Sequence, residues 1–124
     1  HGDRCARLLR ASWWRAESIT EPEDQDEFLR LLNHWGRVER NRGEAAAIVL
    51  ARRTGSTVVL DDKLGREMAH ERGIRCIGTV GILARMVITG QLSLARAWLI
   101  HQHLVRDGFR SPISSEDDFR KIVG

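Results

Sequence analysis

Apolar positions along this chain fall into short blocks whose spacing switches between helical and extended periods. Behind Glu21-Pro22-Glu23-Asp24, Phe28, Leu31, Leu32 and Trp35 recur at helical spacing. A proline and acids in the first turn are what a helix start requires. Residues 44–53 hold no breaker and little polarity in their first two turns, which predicts a helix buried over most of its girth. Thr54-Gly55-Ser56 ends it. Thr57-Val58-Val59-Leu60 follows, a β-branched apolar run of the kind that forms buried parallel strands.

The same alternation continues to the end. Asp62 to Arg72 reads as a helix stopped by Gly73, and Ile74 to Ile77 as a second strand. Gly78-Thr79-Val80-Gly81 opens a helix to about Ile88, ended by Gly90. A longer helix spans roughly Ser93 to Arg106, with Leu94, Ala97, Trp98, His101, Leu104 and Val105 on one stripe, and Gly108 stops it. Ser114-Ser115-Glu116-Asp117 caps a last helix running to Val123. Upstream, Asp3 to Arg10 reads as a short helix and Ser12 to Ala16 as a strand, its paired Trp13 and Trp14 expected to bury large area. Helix and strand alternating in this way predict an α/β fold with a parallel sheet. Only two strands are clear, three at most, so the sheet lacks a strand or takes one from another chain.

The order of elements brings acids together. About ten helical residues at 1.5 Å each travel roughly 15 Å, and five or six extended residues at about 3.3 Å return a similar distance. Antiparallel packing of the two then places Glu44 and Asp61 at one edge of the sheet. That edge is the carboxyl end of the strand, where open α/β sheets put their sites. Glu44, Asp61 and Asp62 form an oxygen donor set suited to Mg²⁺. The competing reading is helix chemistry, with Glu44 stabilising one helix N-terminus and Asp62 capping the next. Gly78 to Gly81 lies between strand and helix at the same edge, placed to hold a phosphate or to be an ordinary tight turn. It lacks the length and lysine of a Walker loop, and no ribose-binding acid follows at the offset of a nucleotide site. His101-Gln102-His103 places two imidazoles on different faces of a helix, which disfavours zinc.

Composition changes this picture little. One domain is expected over all 124 residues, with 42% hydrophobic and 30% charged positions. Net charge is +3 with 18 Arg against 2 Lys, which permits a nucleic-acid partner without requiring one. No apolar run approaches the ~20 residues a membrane helix needs. Cys5 and Cys76 form no CxxC pattern and read as reduced thiols of a cytoplasmic protein.

The ordered series Gly43-Glu44-Ala45-Ala46-Ala47-Ile48, Val59-Leu60-Asp61-Asp62-Lys63-Leu64-Gly65-Arg66, Gly73-Ile74 and Gly78-Thr79-Val80-Gly81-Ile82-Leu83 resembles PIN-domain (PilT N-terminus) proteins. The branch it resembles holds predicted nucleic-acid-binding proteins related to toxin ribonucleases, and Gly108-Phe109-Arg110 with Ile113-Ser114 is similar to that branch's tail. The similarity covers most of residues 12–122. It implies a three-layer, Rossmann-like α/β fold with a central parallel sheet and helices on both faces. It also implies an acidic cluster that binds Mg²⁺ or Mn²⁺ and cleaves RNA. By motif, Glu44 matches the acid opening the helix before the fourth strand and Asp61 the acid ending that strand. Asp62 matches a less demanding position, and Thr79 the small hydroxyl residue near the cluster, ordering phosphate or water. PIN domains begin with a strand ending in Asp and a second early acid. Nothing before Cys5 matches these, so the fold is expected to be N-terminally incomplete, with half of the metal cluster absent.

Two functions follow from the resemblance. One is the C-terminal part of a metal-dependent endoribonuclease, with Glu44 and Asp61 as metal ligands and Arg37, Arg40, Arg42 and Arg66 on the RNA backbone. The other is a non-catalytic PIN-like module that binds an antitoxin-like protein or assembles as a homo-oligomer or swapped dimer. Trp13, Trp14 and Trp98 motivate the second.

Overall fold

The computed structural model describes residues 6–7, 9–35 and 41–124. The chain forms two compact units, residues 1–54 and 55–124, each with its own internal contacts.

In the first unit, residues 6, 7, 9 and 10 are helical, within the helix expected over Asp3 to Arg10. The strand expected at Ser12 to Ala16 is not formed: a turn occupies residues 12–13, and residues 14–20 have no regular structure. Trp13 is 69% exposed and Trp14 is 42% exposed, their rings meeting edge to face at 6.1 Å. Ser12 to Ala16 has no alternation of apolar and polar positions, so nothing in it commits one face to a sheet. Helix α1 (Pro22–Trp35) and helix α2 (Arg42–Thr54) pack on each other. Leu31 and Leu32 are buried on α1, as are Ala45, Ile48 and Val49 on α2, the small alanine allowing close approach. Asp24 accepts a hydrogen bond from Arg53 Nε at 2.7 Å, and the buried Glu27 carboxylate pairs with Arg30 at 3.2 Å and Arg52 at 3.7 Å. The Asp24 carboxylate raises the Arg53 guanidinium above its ordinary value.

The second unit is α/β. Strands β1 (Val58–Val59) and β2 (Cys76–Ile77) pair in parallel, with Val58 opposite Cys76 and Val59 opposite Ile77. Both are shorter than the apolar runs that predicted them. Between them, helix α3 (Lys63–Glu71) makes the crossover. Its end is a Schellman turn: Ile74 N–H donates to Ala69 O at 2.9 Å and Gly73 N–H to His70 O at 3.0 Å. Gly73 sits at φ +68°, where a side chain would be strained.

After β2 come α4 (Thr79–Ile88), α5 (Leu94–Arg106) and α6 (Glu116–Val123), close to their predicted bounds. Ser93 and Ser115 cap α5 and α6 by accepting from Arg96 and Asp118 N–H, both at 3.1 Å. These three helices pack on one another around Val80, Leu83, Ala84, Ala97 and Phe119. Phe119 is fully buried, while Val105, expected on the apolar stripe of α5, is 43% exposed. Val105 lies in the last turn of α5, where its neighbour Leu104 is the residue that packs against the core. Among the described residues, no helix is long and apolar enough to cross a membrane.

Candidate functional site

The parallel register of the two strands decides which side chains meet. Val58 faces Cys76 and Val59 faces Ile77. Continued past the strand ends, the same register sets Leu60 beside Gly78 and Asp61 beside Thr79. Leu60 N–H donates to Ile77 O at 3.0 Å, so the pairing persists to the rim. Val58 and Leu60 turn inward and are buried, which by alternation turns Val59 and Asp61 outward.

At this rim, Thr79 grips the Asp61 carboxylate with two donors. Its backbone N–H donates to Oδ1 at 2.8 Å and its hydroxyl donates to Oδ2 at 2.6 Å. Thr79 is the first residue of α4, whose leading N–H groups have no partner inside the helix, and the helix dipole favours a negative charge there. Gly78, the residue before α4, offers no side-chain cap of its own, so Asp61 fills that role from the neighbouring strand. A Cβ on Gly78 would lie 3.0 Å from Asp61 Oδ1 and 3.6 Å from Leu60 O. The bare Cα is what lets the carboxylate close on Thr79. Each carboxylate oxygen can accept twice, and Asp61 is exposed, so lone pairs on both oxygens stay open to solvent.

Asp62 faces the other way. Its backbone is extended and its Oδ2 accepts from Gly65 N–H at 3.1 Å, capping α3. The consecutive acids thus serve two different helices. Glu44 is half-buried in the first turn of α2 and Arg42 is exposed at its start, both in the unit of residues 1–54. Arg37 and Arg40 lie outside the described residues. Arg66 is exposed on α3 and, with Lys63, His70 and Arg75, lines an open cleft of about 730 Å³ that also holds Glu67 and Glu71. Cys76 lines the same cleft, and burial pushes its thiol above the ordinary value, the opposite of a reactive cysteine.

Among the described residues, no group of three or more His, Cys, Asp or Glu side chains is arranged to hold a metal ion. Asp61, with its outward lone pairs, suits one position of an open centre, in which water and phosphate oxygens complete the shell of a hard cation. It does not form a closed protein cage.

The residue types at this rim were legible in the sequence, but two of their roles were not. Besides the ordering of phosphate or water that the resemblance implies, Thr79 donates its hydroxyl to Asp61. Gly78 reads in the sequence as part of a phosphate-holding loop or a tight turn, and the structure adds that its bare Cα makes room for the Asp61 carboxylate. A glycine followed by threonine directly after a strand, with an acid ending the strand before, is the pattern that would have suggested both.

No curated protein and no solved structure matches the chain. A family model described as PIN domain matches residues 2–121. That span takes in both compact units and the whole Asp61–Thr79 rim, and the chain belongs to the PIN-domain family.

Proposed function

We propose that this chain belongs to a cytoplasmic Mg²⁺- or Mn²⁺-dependent endoribonuclease that hydrolyses RNA phosphodiesters, with Asp61 as a metal ligand at its centre. The observation that carries the reading is the Asp61 carboxylate, held by Thr79 at the carboxyl edge of a parallel strand pair on an exposed residue. Family membership supports the same reading. In this proposal the two strands belong to the parallel sheet of a three-layer α/β fold, and Glu44 is a second candidate metal ligand. When bound, the cation would polarise a phosphoryl oxygen and make its water acidic enough to attack at neutral pH. The chain's own part is positional. Thr79 removes the rotational freedom of the carboxylate before any ion or RNA arrives, which spares that ordering cost at binding. Asp62 stays occupied at α3 and contributes through the field of its charge. Arg42 and Arg66, with Arg37 and Arg40, supply positive charge for RNA phosphates, and this part of the affinity falls as salt rises.

The test is cleavage of structured and single-stranded RNA with Mn²⁺ or with EDTA, comparing wild type with Asp61→Asn. The substitution is nearly isosteric, and the Thr79 hydroxyl can turn from donor to acceptor, so the fold is kept while the charge goes. Cleavage that needs Mn²⁺ and disappears in Asp61→Asn supports the reading. Absence of metal-dependent cleavage, or its survival in Asp61→Asn, refutes it.

A second reading is favoured by the exposed Trp13 and Trp14 pair. Paired indoles left in water are the residues that anchor protein interfaces. In that reading the chain is a PIN-like interaction module for an antitoxin-like protein or a second copy of itself. Light scattering separates the two: a monomer across a wide concentration range, unaltered by Trp13→Ser with Trp14→Ser, removes self-association.

A further inference from the structure

A second cavity lies well away in sequence from Asp61 and Thr79. The segment after α5 folds back beside that helix and the two line an open cavity of about 530 Å³, within the size range of small-ligand sites. Its lining is apolar at Trp98, Val105 and Ile113 and polar at Gln102, Arg106, Ser111 and Ser114.

His101 also lines it. It is 3% exposed, stacks on Trp98 with ring centroids 4.6 Å apart, and its Nε2 lies 2.6 Å from Ser111 Oγ. Its Nδ1 is buried with no hydrogen-bond partner. A proton on Nδ1 would leave a buried donor bare, which folded proteins rarely tolerate. The orphaned Nδ1 thus favours the tautomer with the proton on Nε2, where it is donated to Ser111 Oγ. That oxygen also accepts from Ile113 N–H at 3.2 Å. With both lone pairs of Ser111 used, its own hydroxyl hydrogen remains to be donated at the cavity wall. In that tautomer the imidazole gives a proton to the serine, the reverse of the direction in a Ser–His nucleophile pair.

Charge narrows the ligand. Burial lowers the His101 pKa and so favours its neutral form, and no acid lines the cavity. Asp118 is tied to the Ser114 and Ser115 end of α6, receiving the Ser114 N–H at 3.4 Å. Arg106 makes no ion pair among the described residues, so one cation stands with hydroxyl donors beside an indole and a branched apolar wall. One cation with neutral donors matches one negative charge. A planar carboxylate fits a guanidinium in two-pronged fashion, whereas a phosphate dianion would need more positive charge.

We propose that this cavity binds a monocarboxylate carrying an aromatic or branched apolar body, with the carboxylate on Arg106 and the Ser111 hydroxyl and the body against Trp98 and Ile113. A free small acid and the C-terminal residue of a peptide present the same chemistry. None of the cavity residues takes part in the Asp61–Thr79 rim, so the proposal stands apart from the ribonuclease reading.

The test is titration of ¹⁵N-labelled chain with 3-phenylpropionate, its neutral amide, and the peptide Gly-Gly-Phe with free or amidated C-terminus. The Trp98 indole N–H and the Ser111 and Ile113 amides are the reporters. Saturable shifts with the acids near about 1 mM or below, and at least about tenfold weaker binding by both amides, are expected. Arg106→Gln should weaken the acids by about tenfold, the loss of roughly 1.4 kcal/mol, and Arg106→Lys should restore part of it. Arg106 is exposed, so neither variant disturbs the core. Whichever acid binds more tightly identifies the source. Equal binding of acids and amides, wild-type affinity in Arg106→Gln, or no saturation by either acid overturns the proposal.

Discussion

Gly78→Ala isolates the geometry of Asp61 with a single methyl group. The backbone there is extended, φ −96° and ψ 177°, so alanine meets no conformational strain. Its Cβ would sit 3.0 Å from Asp61 Oδ1, a few tenths of an ångström inside ordinary contact, and 3.6 Å from Leu60 O. Leu60 is held in the sheet, whereas the exposed carboxylate can swing, so the carboxylate yields. Its retreat lengthens the 2.8 Å bond from Thr79 N–H. Full loss of a bond to a charged acceptor costs about 1.5–3 kcal/mol. Water replaces part of it at this exposed rim, leaving about 1 kcal/mol. Alanine is also a poorer helix N-cap than glycine by about 0.5–1 kcal/mol, and a similar amount returns because the unfolded chain loses freedom. The net is about 1 kcal/mol, or roughly 4–8 °C in Tm for a unit of this size.

Val87→Ala, which trims the half-buried core face of α4, should cost a similar ~1 kcal/mol without touching the rim. The two variants should therefore melt alike by circular dichroism, while Mn²⁺-dependent RNA cleavage falls strongly only in Gly78→Ala. The Thr79 amide proton, which reports its bond to Asp61 directly, should shift upfield in Gly78→Ala and stay in place in Val87→Ala. An unmoved Thr79 amide in Gly78→Ala would refute the steric argument, whatever the activity does. A moved amide with wild-type cleavage would show that the grip does not serve catalysis.

Thr79→Val should lower cleavage and Thr79→Ser should keep most of it, because only the hydroxyl reaches Oδ2; comparing the two by rate at fixed Mn²⁺ checks this. Phe119→Ala should cost about 3–5 kcal/mol in urea unfolding, since the ring is fully buried where α4, α5 and α6 meet. His101 ties stability to pH: burial lowers its pKa from the ordinary 6.5, so the folded state prefers the neutral ring. Its contribution is fully present above 6.5 and is lost as pH falls through the lower folded value, so the urea midpoint should drop below pH 6.5 in wild type and drop less in His101→Gln. Asp118 acts further down: bonds from Ser115 and Ser114 lower its pKa from 3.8, so its share is present above 3.8 and disappears as pH falls beneath it, and Asp118→Asn should flatten that limb.

The sequence by itself determined the elements whose signals are local. Helical spacing with a capping serine and a closing glycine placed α5 between Ser93 and Gly108, and a serine with acids behind it placed the start of α6. Such signals act within one turn of backbone, so they survive whatever packs around them. The strands were less legible. Apolar runs of four residues became ladders of two, because strand length depends on what pairs alongside. Ser12 to Ala16 shows the opposite failure, where two tryptophans suggested burial that the described structure does not supply. At the candidate site the residue types were visible, but their division of labour was not. Two adjacent aspartates look equivalent on paper. The parallel register of β1 and β2 carries Asp61 to Thr79, while the first turn of α3 takes Asp62 as its cap. Only the tertiary structure makes that choice, because residues 61 and 79 meet through strand pairing across an intervening helix, and no local pattern encodes that contact.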